Sequence, residues 1–395
     1  MEISGLSDLR IALVHHWLVT RRGGEQVLEA LAELFPSADL YTLVYDPGLL
    51  FPALEDRPIH SSFLQRLPRP TRWYPYYLPL FPAATERFDL TGYDLVISSD
   101  AATVKGVRTS PDALHICYCH TPMRYVWNGY EAYYNAAGPI TRLTLAAIRR
   151  KLRWWDNNAA QRVTHFVANS RNVQNRIREC YGRESVLIYP PVDTACFVSG
   201  PARERGDEFF LVVSQLVPYK RIDLVVEAFN KCGRKLLVIG DGPERRRLEK
   251  HARSNIRFLG PQPRSAVVEA MQQCKAFVFA GEEDFGIVMV EAQACGRPVI
   301  AFGKGGAREI VEPSTTGVLF EEQSADSLLG AMEQSERLHF DRSVIRASAL
   351  RFDRQRFLRE FSALCVEKLE GRANPAPRQE PATSHPLVGS TSSSS

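Results

Sequence analysis

Short runs of apolar residues alternate with stretches in which apolar positions recur at helical spacing, and this rhythm persists through most of the chain. In the first half the runs at 11–14, 40–44, 95–98, 115–119, 165–168 and 186–189 read as strands. Segments 25–34, 141–160 and 173–181 read as helices between them. A second series begins at Phe209, with strands predicted at 209–213, 235–239, 256–259, 276–280 and 298–301, each followed by a turn and a helix. Continuous apolar strands alternating with helices predict parallel sheets covered on both faces. The fold class expected is therefore α/β, with two doubly wound domains facing each other across a cleft. Pro190-Pro191-Val192-Asp193 and the polar stretch 200–207 divide residues 1–195 from residues 205–350. Segments 324–335 and 354–369 read as closing helices, and the last helix, 353–370, is expected to cross back to the first domain. Residues 371–395, rich in Pro and then Ser, cannot build a core and are expected to be disordered.

Composition adds exclusions. With 395 residues, 45% hydrophobic and 24% charged, the chain has the make-up of a globular protein too large for one typical core. A net charge of +4 gives no reason to expect a nucleic-acid partner. Charge is clustered, however: Arg66, Arg69 and Arg72 lead into Trp73-Tyr74-Pro75-Tyr76-Tyr77, and Arg149, Arg150, Lys151 and Arg153 lead into Trp154-Trp155. Basic residues beside Trp and Tyr suit an anionic membrane surface; a solvated basic face next to core aromatics is the alternative. The eight cysteines are scattered, mostly inside apolar patterns, as reduced core thiols are. Cys117-Tyr118-Cys119-His120 lacks the spacing and second ligand pair of a zinc site. Residues 1–9 do not read as a signal peptide, and no apolar run reaches 18 residues. A cytoplasmic protein is expected, with peripheral contact to the inner face of the membrane.

Candidate chemistry gathers where strands run into helices, since ligands of open α/β sheets bind at the carboxyl ends of the strands. The most informative segment is Glu283-Asp284-Phe285-Gly286-Ile287-Val288-Met289-Val290-Glu291. One carboxylate sits in a strand-to-helix turn and the other about two helical turns on, at ~1.5 Å rise per residue. Both can accept hydrogen bonds from polyol hydroxyls, and the helix start after Gly286 offers N–H groups. In the first half, Gly23-Gly24 opens a helix and lets the backbone approach a ligand closely. His120 ends a strand just before Thr121-Pro122. In the second half, Lys220 and Arg221 stand at a helix start, where a cation is unfavourable unless an anion is bound. Gly240-Asp241-Gly242-Pro243 and Gly303-Lys304-Gly305-Gly306 repeat the layout, and neither fits a P-loop or a dinucleotide fingerprint. Taken singly, each motif also has a plain structural reading: an acidic turn, a tight turn, a core histidine.

Taken together, Gly23-Gly24, His120, Val217-Pro218-Tyr219-Lys220, Gly240-Asp241-Gly242-Pro243 and Glu283-x₇-Glu291 resemble the retaining GT-B glycosyltransferases of family 4, in order over residues 10–370. The stretch 118–127 further resembles bacterial WbaZ-type mannosyltransferases that build O-antigen and exopolysaccharide. The resemblance implies two Rossmann-like domains and transfer of a hexose, mannose from GDP-mannose, to a lipid-linked saccharide or polysaccharide. It implies that Glu291 binds the ribose, Glu283 the sugar hydroxyls, and Lys220 the diphosphate as the glycosidic bond breaks. His120 would contact the donor sugar and Gly23 and Gly24 the diphosphate or acceptor, while Asp284, Phe285, Gly286 and Ile287 would line the donor site. The resemblance implies an arginine where this chain has Gln215, whose amide can still donate to phosphate; either Arg221 or another cation supplies the missing charge, or the leaving group is held less tightly. No Asp-x-Asp signature lies near these motifs, so the only ligands expected are the nucleotide-sugar and the acceptor, with neither metal nor cofactor. A UDP-sugar transferase, or a non-catalytic nucleotide-sugar-binding partner in polysaccharide assembly, remains open.

Overall fold

The computed structural model describes residues 9–21, 23–55, 57–136, 138–200 and 209–373. Seven strands form the first sheet: β1 (Ile11–His15), β2 (Asp39–Thr42), β3 (Ile59–Ser61), β4 (Leu95–Asp100), β5 (Leu114–Cys119), β6 (His165–Ala168) and β7 (Ser185–Leu187). Their order is β3-β2-β1-β4-β5-β6-β7, with every pairing parallel. The second sheet holds β8 (Phe209–Val213), β9 (Lys235–Ile239), β10 (Ile256–Gly260), β11 (Phe277–Phe279), β12 (Val299–Phe302) and β13 (Gly317–Phe320). Its order is β10-β9-β8-β11-β12-β13, again all parallel. β1, β4 and β5 are buried along their whole length, which is why they read as unbroken apolar runs. In each sheet the strand order reverses once, between β1 and β4 and between β8 and β11. Such a reversal leaves a crevice at the strands' carboxyl ends.

The last helix, Arg354–Ala373, follows a bridge between Val192 and Asp353 and packs onto the first domain. Phe357, Phe361, Leu364 and Cys365 join one core with Leu13, Leu28, Leu31 and Tyr118. The two phenylalanine rings lie 5.7 and 6.3 Å from the Tyr118 ring. This buried face couples the end of the chain to the strands that carry the first half of the site.

Several elements differ from the sequence expectation. β3 and β13 were not expected: β3 is three residues long with two of them exposed, and β13 follows a turn and spans only four residues. The helix Arg342–Leu350 was also missed; its capping Asp341 accepts from the N–H groups of Ser343 and Val344. The final helix continues through Ala373, so residues 371–373 are helical rather than part of a tail. The rest of that tail, 374–395, and most of the polar boundary stretch, 201–207, lie outside the described residues.

Candidate active site

Both reversal points carry chemistry. On the second sheet, β8 leads to a short turn at Pro218–Lys220, and Arg221 then adopts the left-handed conformation (φ 55°) before the helix Ile222–Cys232. That conformation is uncommon for a side chain-bearing residue. It bends the chain sharply after Lys220, and a Cβ added at Gly281, just past β11, would lie 3.1 Å from the Lys220 Cα. Lys220 Nζ donates to Glu283 Oε1, both side chains being mostly buried. The anion expected beside this lysine is thus supplied by Glu283. Gly286 follows with φ of 100°, and a Cβ there would lie 2.4 Å from Met289 Cε, so only glycine fits the turn into the helix Ile287–Ala294.

On the first sheet, His15 and Ser99 are register partners on β1 and β4, and His120 follows β5. Ser99 Oγ lies 2.8 Å from His120 Nε2 and 3.1 Å from His15 Nδ1. His16 Nδ1 lies 3.2 Å from the Ser99 carbonyl oxygen. Burial holds all three rings below the usual histidine range, His120 down to about 3. Neutral imidazoles are therefore what this wall presents. Gly24, in the first turn of the helix Gly23–Leu34, sits over them: a Cβ there would be 3.7 Å from His120 Nε2 and 3.8 Å from His16 Cε1.

The two halves meet. A Cβ on Gly23 would lie 2.8 Å from Ile287 Cδ1, so the starts of two helices from different domains abut. Asp284 is buried and engaged by three residues of the first domain: Arg124, Arg176 and Asn172, the last at 3.3 Å. Arg176 also reaches Glu282 at 3.2 Å. Glu309 accepts the Arg171 and Asn172 N–H groups at 2.9 and 3.1 Å, a carboxylate placed where the helix Arg171–Tyr181 favours negative charge. Lys220, Glu283, Gly23, Gly24, Ile287 and His120 are thus gathered at one interdomain cleft.

The remaining candidates are placed differently. Phe285 is buried between Tyr189 and Phe352, ring centroids 5.7 and 5.3 Å away, so its side chain supports the turn and leaves only backbone to offer. Asp284 is committed to the arginine clasp. Arg221 bonds Asp223 at 3.3 Å and Gln323 at 3.2 Å rather than Glu283. Gln215 stays half-buried in the loop after β8. Glu291 lies on the helix Ile287–Ala294, where burial pushes its carboxyl up to about 7, with Arg264 opposing and Asp193 adding to the rise.

The sequence did not single out His15, His16, Ser99, Arg124 or Arg176 as partners, nor the buried ions beneath them. Lys105 Nζ lies 3.0 Å from Asp100 and 2.5 Å from Asp156, all three fully buried. Asp156 also accepts from Trp127 Nε1 and the Tyr181 hydroxyl, each at 2.8 Å. Of the basic–aromatic segments, Trp154 (68% exposed) and Tyr76 (70%) face outward, as does Leu143 (75%) earlier on the helix that carries Trp154. Arg149 and Arg153 instead stack over Tyr130 and Trp127, at 3.7 and 4.1 Å. Among the described residues, no helix is long and apolar enough to cross a membrane.

Two parallel-sheet domains with their reversal points facing one cleft define the GT-B architecture. Residues 21–195 match the family model described as Glycosyltransferase Family 4, and residues 199–348 the one described as Glycosyl transferases group 1. The two matches, in this order and on this architecture, support a GT-B glycosyltransferase of family 4. It is 29% identical to an uncharacterized glycosyltransferase of Methanocaldococcus jannaschii, over 45% of this chain and 51% of that protein. It is 30% identical to the GDP-mannose-dependent alpha-(1-6)-phosphatidylinositol monomannoside mannosyltransferase of Mycolicibacterium smegmatis, over 52% of this chain and 65% of that one. The chain thus spans about half to two thirds of the length of these curated relatives. Among solved structures, Anabaena HepE in complex with UDP and glucose superimposes with a TM-score of 0.66 at 18% identity, covering 91% of this chain and 99% of that one. Sucrose-phosphate synthase from Thermosynechococcus elongatus does so with 0.64 at 20% identity, covering 92% and 99%.

Proposed function

We propose that the protein is a retaining glycosyltransferase that moves mannose from GDP-mannose onto a lipid-linked saccharide or growing polysaccharide. The observation that carries this reading is the Lys220–Glu283 pair, set at one reversal point and opposite the neutral histidines of the other. Within the protein each charge balances the other. A nucleotide-sugar entering the cleft supplies a diphosphate for Lys220 and hydroxyls for Glu283, so the pair separates and each group takes its own part of the donor. Lys220 then steadies the charge that grows on the diphosphate as the glycosidic bond breaks; a preorganised donor of this kind is worth ~3–4 kcal/mol in measured cases. Glu291 accepts from the ribose, which favours its ionised form and draws its carboxyl down from about 7. His120 faces the donor sugar. Gly23 and Gly24 bring helix-start N–H groups close to the diphosphate or the acceptor. No side chain is needed as a nucleophile in a front-face substitution, and no metal is assigned.

Mannose and GDP are favoured because the mycobacterial relative at 30% identity is named for GDP-mannose. A thermal-shift panel tests the base, since a ligand that binds only the native state raises its melting point. GDP and GDP-mannose are expected to raise it more than UDP and UDP-glucose at equal concentration. A larger rise with UDP would replace this donor by a UDP-sugar. Binding without any turnover would make the protein a nucleotide-sugar-binding partner in polysaccharide assembly.

The acceptor's lipid implies work at a membrane, from the cytoplasmic side. Residues 139–155 carry Arg142, Arg149, Arg150, Lys151 and Arg153 and no carboxylate, with Leu143 and Trp154 exposed on the same helix. Salt-sensitive binding to anionic vesicles is expected, and is lost when Arg150, Lys151 and Trp154 become Ser. Absence of binding at low salt would end this part of the reading.

A further inference from the structure

Beneath His120 lies a buried polar chain that the proposed reaction does not use. His15 is fully buried, and its Nε2 has no hydrogen-bond partner among the described residues. Its Nδ1 meets Ser99 Oγ, whose other neighbour is His120 Nε2. A serine hydroxyl has one proton and two lone-pair sites. Between two neutral rings it therefore donates to one and accepts from the other.

Two arrangements satisfy that condition. In the first, Ser99 donates to His15 Nδ1, and the His15 proton then sits on Nε2. That leaves a buried N–H with nothing to bond, an orphan rarer in native proteins than an unused acceptor. In the second, His15 Nδ1–H donates to Ser99, Ser99 donates to His120 Nε2, and His15 Nε2 is a bare lone pair. The second leaves no donor orphaned on fully buried His15; the unpaired N–H falls instead on His120, which is only partly buried. It places the His120 proton on Nδ1, which makes no hydrogen bond among the described residues.

We propose that the His15–Ser99 pair fixes His120 as its Nδ1–H tautomer, so that His120 presents a hydrogen-bond donor to an oxygen of the sugar. Ser99 and His15 are positioning residues, since they act through the ring they orient. His16 is set the opposite way. Its Nδ1 meets a carbonyl oxygen, which only accepts, so His16 Nε2 is an unprotonated acceptor. The two rings stand with centroids 6.2 Å apart. One offers a proton and its neighbour a lone pair, the complement of a sugar hydroxyl, which both accepts and donates. Desolvation keeps each ring uncharged, so the tautomers persist at neutral pH.

The sugar-facing part of this inference rests on the glycosyltransferase reading; the tautomer does not, and the test separates them. The full chain labelled with ¹⁵N-histidine is examined by NMR at neutral pH, and the His120 signals among the nine histidines are assigned by their loss in His120→Gln. The expected result is a protonated Nδ1 and a bare Nε2 for His120. In Ser99→Ala the fixed tautomer gives way to a mixture, and Ser99→Thr restores it. Donor turnover per KM falls about five- to tenfold in Ser99→Ala, the scale of one neutral hydrogen bond, and recovers in Ser99→Thr. A protonated Nε2 on wild-type His120, or an unchanged tautomer in Ser99→Ala, overturns the proposal. The expected tautomers without any transfer activity would leave the relay standing and remove the reading of the site.

Discussion

Of the lysines paired with carboxylates, Lys105 and Lys220 do opposite work. Lys105 is fully buried between Asp100 and Asp156, with Trp127 and Tyr181 completing the bonds of Asp156. Every partner is protein, and no face of the group meets the cleft. Lys220 keeps 15% of its side chain exposed and has one carboxylate, Glu283, that keeps 20%. Its pairing leaves room for a ligand to take over. An ion pair sealed on all sides holds a fold; one open to a cleft can be exchanged.

That contrast can be broken most severely at the sealed pair. Lys105→Met leaves two buried carboxylates without their cation, and removing one partner of a buried pair costs about 3–5 kcal/mol. The melting temperature is expected to fall steeply in thermal denaturation, whatever ligand is present. Lys220→Ala is expected to act in the other sense. A pair with one side open to water loses less on truncation than the sealed one, so the melting temperature falls less than in Lys105→Met, while transfer drops by about a hundredfold or more. Equal stability losses in the two variants would erase the distinction.

A smaller effect sharpens it through pH. The folded protein holds a proton on Glu291 up to about pH 7, whereas an unhindered carboxyl releases it near 4.5. The native state therefore binds more protons than the unfolded state between those values, and this group's contribution to stability falls as pH rises through the window. Glu291→Gln removes that slope. Its melting temperature relative to wild type is expected to be higher at pH 8 than at pH 5. A difference independent of pH would contradict a raised carboxyl.

The contrast also explains what could be read from the chain. Strands β1, β4, β5 and β8 lie in the sheet interiors and announce themselves as apolar runs. β3 lies at a sheet edge with two of its three residues exposed, and β13, at the edge of the other sheet, is a run of only three apolar residues after Gly317. Likewise Glu283, Lys220, His120 and Gly23-Gly24 were visible because each stands at a strand-to-helix junction, a local pattern. The partners that define their environment are distant in sequence. Arg124 and Asp284 lie 160 positions apart, and His15 and Ser99 84 apart, with nothing local to pair them. Lys105 gave no signal either, since a lysine in a loop reads as solvated until Asp156 is brought beside it. The structure puts Arg124 and Arg176 from the other domain against Asp284, beside Glu283, cations that no spacing rule in the second half would have found.

The most direct measurement is transfer of radiolabelled mannose from GDP-mannose by the purified chain to a membrane acceptor extract, with wild type and Lys220→Ala side by side. Labelled acceptor formed by wild type and nearly absent with a folded Lys220→Ala protein is the expected result. Transfer at the wild-type rate by Lys220→Ala would contradict the role given to the open lysine–glutamate pair.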